Sequence, residues 1–513
     1  MKSLPLVRYN IVANFSGKAW IAFLSLAFVP LYIKLMGVEV YGLLGVFMSV
    51  GALLSLLDMG LSATLSRELS RLSCVDDSRQ ETCNLIRTFE LVFWCVGALI
   101  GCVVLLLAPF IARYWINSGE VGVETVEYAL MIMGVSIALQ WPSGIYSGGL
   151  MGLQRQITHN LVKTIVMTVQ HLGAVGVLLW VSPSILTFFA WHTLMSLVST
   201  LALRWWLWRS IPIVQESERL IRPEFSLALL IKNWRFASGV SGIALTTLLL
   251  TQVDKIILSK MLTLEYFGYY MLAFSVANTI NNLVSPISSA LQPRLTQLIA
   301  ANDSVNLIAL FRKGTQLLSV ALFPIAITIA LFSKQILILW LGDNEVSNSS
   351  YLLLTFLVIG TAINALVALP YALQLAFGYT KLVFHANIVA VMVLVPLMVL
   401  MTTVFEGLGA TSTWIVLNFG YLVILAPLMY RQWGLPGLGS WYKRDILLPG
   451  LVTFLIVLFV RMFLPEHASF GAILLSLFAA LTLSVIGAVM SSNQLNKNIL
   501  KHWKAMGDES VKS

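Results

Sequence analysis

Charge is what this sequence has least of. Acidic and basic side chains make up 11% of the 513 residues against 58% hydrophobic, and the mean hydropathy is +0.87, a balance that no soluble core accommodates. Cysteine is nearly absent too. Cys74, Cys83, Cys95 and Cys102 fall in one loop and the helix after it, at spacings that make neither a CxxC pair nor a zinc ribbon, so they read as reduced and structural. No GxxxxGK[ST] phosphate loop occurs, only the fragments Gly17-Lys18 and Lys313-Gly314, and HExxH and GxSxG are missing. The sequence therefore gives no sign of ATP hydrolysis by that route, of a metal or cofactor, or of an enzyme. The ten-residue alternation of a membrane barrel is also lacking, which leaves helices as the structures that satisfy backbone groups in lipid.

What the chain does have is apolar runs of membrane-spanning length, about 20 residues each. Six lie at roughly 10–34, 40–66, 84–109, 124–149, 158–180 and 185–208. Eight more follow at roughly 233–260, 266–291, 314–334, 349–375, 382–404, 409–430, 446–464 and 468–490. The class is an all-α integral membrane protein with about 14 transmembrane helices. When loops are assigned alternately, 22 Lys and Arg fall on the side of the N-terminus and five on the other, Lys34, Arg113, Lys260, Lys334 and Arg461. By the positive-inside rule both termini are cytoplasmic, in the cell's inner or plasma membrane, and the net charge of +9 is an orientation signal rather than a nucleic-acid footprint. The first span lacks a small-residue cleavage site and is expected to stay as an anchor.

The chain repeats itself. KLMGVEVYGLLGVFMSV from Lys34 aligns without a gap on KLMGVEVYGLLGVFMSV's counterpart KMLTLEYFGYYMLAFSV from Lys260, pairing Glu39 with Glu265, Gly42 with Gly268 and Ser49 with Ser275 at an offset of 226. Pro142, Gly152, Arg155 and Asn160 recur as Pro370, Gly378, Lys381 and Asn387. This predicts two six-helix lobes, 1–208 and 233–430, related by a pseudo-twofold axis along the membrane normal. A cytoplasmic linker at 209–232, helices 13 and 14 within 431–490 and a tail at 491–513 complete the layout. A duplicated helical protein with short loops suits alternating access, although channels and membrane enzymes are also duplicated.

Polar residues inside the spans are the candidate site, because charge in lipid is costly and faces a bundle interior or a watery cavity. Lys18 lies about 12 Å along the first helix from Asn10. It shares a face with Asn10, Asn14 and Ser25, and either lines a cavity or is satisfied by a carboxylate such as Asp58. Asp254 and Lys255 in the seventh span are equally consistent with a site or a structural ion pair with another helix. Asn278, Asn281 and Asn282 continue into Ser285, Ser289 and Gln292 on one face of the eighth span, around Pro286. That face lines a hydrated path or bonds to another helix. Asp58, with Ser55 and Ser62, marks the matching face of the second span. His171 and His192 titrate near neutral pH when free, though most buried histidines are packed, hydrogen-bonded residues. Glu90, Lys163, Arg204 and Arg235 lie near cytoplasmic ends and rank lower.

Three segments together resemble a known family: the opening run from Asn10 to Arg71, PSGIYSGGLMGLQRQITHN from Pro142 and QVDKIILSKML from Gln252. They are similar to the polysaccharide-transport flippases, the Wzx-type branch of the multidrug/oligosaccharidyl-lipid/polysaccharide superfamily. The resemblance implies a V-shaped pair of lobes that moves an undecaprenyl-pyrophosphate-linked oligosaccharide from the cytoplasmic to the outer leaflet, for O-antigen, capsule or exopolysaccharide. On that reading Lys18 and Lys255 serve the phosphates, and Asn278, Asn281 and Asn282 the sugars, with Asn14 alongside Lys18. Asp58, Asp254, His171 or His192 would couple transport to protons or sodium. The partners implied are the lipid-linked substrate, membrane lipids and a glycan polymerase or ligase complex. The alternatives are a multidrug and cation antiporter of the same fold, a membrane-embedded glycan polymerase or ligase, and a non-transporting assembly partner.

Overall fold

The computed structural model describes residues 17, 19–58, 60–73, 79–211, 223–378, 381–433, 436–465 and 468–492. Its secondary structure is helical. Among the described residues nine α-helices lie before Leu264: α1 Ala19–Met36, α2 Glu39–Leu54, α3 Leu61–Leu72, α4 Arg79–Phe110, α5 Val123–Gln140, α6 Ser143–Gly152, α7 Gln156–Trp180, α8 Ile185–Arg209 and α9 Leu227–Met261. Then come α10 Leu264–Ala300, α11 Ser304–Leu331, α12 Ser333–Leu341, α13 Asn344–Ala376, α14 Lys381–Gly420, α15 Ala426–Gln432, α16 Leu448–Met462 and α17 Phe470–Ser491. Among the described residues ten helices are long and apolar enough to cross a bilayer. The chain is thus an all-helical, multi-pass membrane protein.

Local chemistry explains where these helices start, stop and bend. Ser184, Asp303, Asp343 and Ser469 each accept a backbone N–H from the first turn of the helix they precede. The Asp303 carboxyl is held below its ordinary range by the Asn306 side chain. Pro109 deprives α4 of one backbone donor, and the next turn widens to a π-helix over Ile111–Trp115. One continuous stretch, Leu382–Gln432, is 51 residues long, about 76 Å of helix and enough for two crossings. It is broken at Glu406, whose φ of 51° and ψ of −133° reverse the chain where the sequence predicts a gap between two spans.

The second predicted span differs from expectation. It is not one helix through 40–66 but α2, a 3₁₀ turn over Ser55–Asp58 and α3, with Gly60 at φ 73° between them. Asp58 accepts from the Ser62 hydroxyl at 2.7 Å and the Ser62 N–H at 3.3 Å, which caps the new helix. Uniform hydropathy hides such a break.

The chain falls into two compact units, Met1–Gly268 and Tyr269–Ser513. In the first, Leu65, Leu69, Phe89, Phe93, Tyr146, Leu203 and Leu207 form a buried core. Lipid is as apolar as that core, so burial alone does not hold membrane helices together, and close approach of small residues contributes instead. A methyl group on Gly148 would stand 2.5 Å from the Ser62 carbonyl oxygen, and one on Gly152 2.4 Å from that of Ser66, so α6 lies backbone to backbone on α3. The repeated segments also meet inside this unit. A methyl on Gly42 would stand 2.3 Å from the Leu264 carbonyl oxygen, and one on Gly268 2.4 Å from that of Val38. Val38 and Leu264 are themselves repeat equivalents, so the contact is reciprocal, as across a local twofold axis.

In the second unit, Phe332, Val457 and Ala480 sit at the core where α16 and α17 pack on α11. Asp445, fully buried in the π-helical turn before α16, holds that end of the chain in place. It accepts from Arg312 Nε at 2.8 Å and Gln316 Nε2 at 2.6 Å, and its backbone carbonyl accepts from Ser319 at 2.7 Å.

Candidate functional site

Lys18 and Asn14 lie outside the described residues. Of the residues near them in sequence, Gly17 and Trp20 are described: a methyl on Gly17 would stand 3.4 Å from Thr164 Oγ1 and 3.5 Å from Asn160 Cβ, and the Trp20 indole donates to Thr168 at 3.0 Å. The first helix therefore runs along α7. On α7, Lys163 is half-buried, and among the described residues no carboxylate pairs with it. Its position near a predicted span end made it look interfacial in the sequence; in the structure α1 lies beside its helix, where Trp20 bonds Thr168.

The amide stripe of α10 is open. Asn278, Asn281 and Asn282 are exposed, as are Ser285 and Ser289, while Ala277, Ile280 and Val284 on the other side of the helix are buried. Asn281 donates to Asn278 Oδ1 at 2.9 Å, which orients the two amides with respect to each other. Among the described residues no other helix covers this face.

Lys255 is placed differently. It is 3% exposed, and its ammonium reaches both Asp254 carboxylate oxygens at 3.0 Å and the Thr251 carbonyl at 2.9 Å. Asp254 and Lys255 are thus brought together as a buried ion pair on one helix, so a phosphate role for Lys255 requires the pair to open. Asp58 is half-buried at the α2 to α3 break and engaged by Ser62.

His171 and His192 come together inside the first unit. His171 Nδ1 is 2.9 Å from the Tyr32 hydroxyl of α1, and His192 Nδ1 is 2.7 Å from the Gln170 side-chain amide. Phe188 packs on His192 with ring centroids 4.3 Å apart, and Phe28 stacks on His171 at 5.4 Å.

One cluster was not anticipated. Glu90, 1% exposed, accepts from the Tyr146 hydroxyl at 2.6 Å, Arg204 Nε at 2.5 Å and Arg87 Nη1 at 3.0 Å, and Trp94 donates to Tyr146 at 3.0 Å. It ties α4, α6 and α8 together. A signal was present: the repeat offset of 226 carries Glu90 onto Gln316, the residue that bonds Asp445 in the second unit. The same repeat position holds a buried polar anchor in both halves.

The sequence matches the family described as "Polysaccharide biosynthesis protein" over residues 33–349, more than half of the chain, and the chain belongs to that family. It is 21% identical over 413 residues, 79% of this chain and 93% of the relative, to the Shigella flexneri protein named "Putative O-antigen transporter". Its fold is similar to that of the lipid II flippase MurJ in an inward closed conformation, with a TM-score of 0.72 at 12% identity, covering 95% of this chain and 99% of the other. It is also similar to an inward-facing multidrug resistance MATE family transporter of the MOP superfamily, with a TM-score of 0.59 at 14% identity over 85% of this chain and 96% of that one.

Proposed function

We propose that this member of the polysaccharide biosynthesis protein family is a flippase that carries an undecaprenyl-pyrophosphate-linked oligosaccharide from the cytoplasmic to the outer leaflet by alternating access. The observation that carries the reading is the uncovered amide stripe of Asn278, Asn281 and Asn282 on a helix whose opposite side is packed. Sugar hydroxyls pair with amides, whereas acyl chains leave such groups unsatisfied at a cost of several kcal/mol each. The name of the Shigella relative points to the same cargo class.

In this reading the protein sits in the inner membrane with 14 spans and cytoplasmic termini, as two six-helix lobes, 1–208 and 233–430, joined by a linker at 209–232 and followed by two further helices. Lys18 and Asn14 meet the pyrophosphate, the half-buried Lys163 supplies a further cation, and Lys255 contributes when its pair with Asp254 opens. Cations are the groups a pyrophosphate needs in a hydrated cavity. A polymerase or ligase complex receives the product.

A cationic drug would need a free buried acid. Among the described residues the buried acids Glu68, Glu90, Asp254 and Asp445 are each paired with a cation, which favours an anionic cargo over a multidrug antiporter's. The test is genetic and direct. Lys18→Ala is expected to insert normally yet abolish surface glycan in a deletion strain, with lipid-linked units accumulating in the inner leaflet. Normal surface glycan in that strain would overturn the role of Lys18, and normal glycan in the deletion strain itself would overturn the flippase reading.

A further inference from the structure

α8 leaves a single line of its surface uncovered. Between Ile185 and Arg209 the exposed positions are Ala190, Leu194, Val198, Leu201, Trp205 and Arg209, three or four residues apart, so they run along one face of the helix. From Leu194 to Leu201 that face is aliphatic, and lipid tails are what cover it in a membrane. Its chemistry then changes. Trp205 is 53% exposed, its ring is braced edge-on by Trp206 at 4.8 Å, and the Arg209 guanidinium lies over it at 5.0 Å. The tryptophans next to it, Trp206 and Trp208, pack against the buried core of the first unit, and Trp205 is left out of that packing.

Positive charge gathers at the same end. Arg204 Nε and Arg87 Nη1 bond the two oxygens of the buried Glu90 carboxylate, and both guanidinium side chains stay half-exposed. Among the described residues no carboxylate pairs with Arg209. Three guanidiniums therefore stand with one carboxylate at the foot of an apolar stripe. A tryptophan and an arginine are enough to anchor a helix end at the interface. The excess of two charges beside them is not needed for anchoring, and it calls for an anion.

We propose that this end of α8 binds an anionic phospholipid, with its acyl chains along Leu194, Val198 and Leu201 and its headgroup phosphate on Arg209. The planar guanidinium fork meets a phosphate through two parallel N–H bonds, and the Trp205 indole N–H is free to donate to a glycerol or ester oxygen. Arg204 and Arg87 add to the attraction without leaving Glu90. A headgroup that carries its own ammonium cancels much of that attraction, so the site selects phosphatidylglycerol-type lipids over phosphatidylcholine. The assignment goes beyond the flippase reading, because the lipid stays on the outer surface of α8 whatever the cargo is. In the proposed orientation this end of α8 lies in the inner leaflet. Bound there, the phosphate is a counter-charge beside Arg204, whose bond to Glu90 ties α8 to α4, so occupancy stabilises the first unit by mass action.

The experiment uses the full-length protein in mixed micelles of detergent with equal amounts of phosphatidylglycerol and phosphatidylcholine, and native mass spectrometry counts the lipid retained after dilution. The wild type is expected to keep phosphatidylglycerol over phosphatidylcholine by about fivefold or more, the worth of one guanidinium near a charged headgroup. Arg209→Gln is expected to lower that preference about fivefold. Trp205→Leu continues the apolar stripe but removes the indole, and it is expected to lower the preference about twofold to fivefold even if Arg209→Gln fails to fold. Arg113→Gln, just beyond the opposite end of α4, is expected to leave it unchanged. Equal retention of the two lipids by the wild type, an unmoved preference in Trp205→Leu, or an equal loss in Arg113→Gln overturns the assignment. Displacement of the lipid by inorganic phosphate at matched concentration overturns it too, since the site would then take a free anion without regard to acyl chains.

Discussion

At the scale of single residues, two of the buried acids, Glu90 and Asp445, tie separate helices together, whereas Glu68 and Asp254 pair within their own. Asp445 has no exposed surface, whereas its partner Arg312 keeps about a quarter of its side chain exposed. Removing one member of such a pair costs about 3–5 kcal/mol, because the other is left charged and buried. Arg312→Ala is therefore expected to destabilise more than Asp445→Ala, since the stranded carboxylate has no route to solvent. Asp445→Asn, which still accepts from Gln316, is expected to cost less than either. Thermal unfolding in detergent micelles orders the three; equal midpoints would show that the pair carries no stability. Tie residues of this kind were only half legible in the sequence. Glu90 and Arg204 were noticed for their charge, but their junction joins residues 114 apart in the chain, and no local pattern announces such a partner.

Among the elements, α10 carries the residues on which the proposed cargo path rests. The spacing of Asn278, Asn281 and Asn282 put them on one helical face, and the structure leaves that face uncovered. Replacing all three with Leu makes the helix more apolar, so membrane insertion and protein level are expected to be unchanged. Surface glycan is expected to fall at least tenfold, as a cargo path requires. Loss of folded protein would instead mark the amides as structural. The break between α2 and α3 was not legible. Asp58, Met59 and Gly60 interrupt an otherwise apolar run, and their effect depends on the Asp58 carboxylate reaching Ser62, which hydropathy does not register. Lys255 shows the converse: its depth in a span was readable, but its commitment to the adjacent Asp254 was not, because the choice between a cavity and a neighbour is made by rotamer and packing.

For the whole molecule, the apolar runs disclosed the all-helical class directly, since lipid enforces helices wherever such runs occur. The repeat is a feature of the sequence, and two of its paired segments meet in the reciprocal contact of Gly42 with Leu264 and Gly268 with Val38. Gly42→Ala and Gly268→Ala are each expected to cost about 1–3 kcal/mol by forcing the two backbones apart. The double variant is expected to cost less than the sum, because the first methyl already opens the seam for the second. Strict additivity in a double-mutant cycle of thermal unfolding would count against a shared seam. The anchoring of the chain's last helices bears on how the protein is made. Arg312 leaves the ribosome 133 residues before Asp445, a delay on the order of ten seconds at ordinary rates of synthesis. Throughout that interval the Asp445 groups that Arg312, Gln316 and Ser319 bond are not yet made, so this polar stripe must be shielded by the insertion machinery or a chaperone, and a product truncated before Asp445 would present it to the cell's proteases without the residue that completes it.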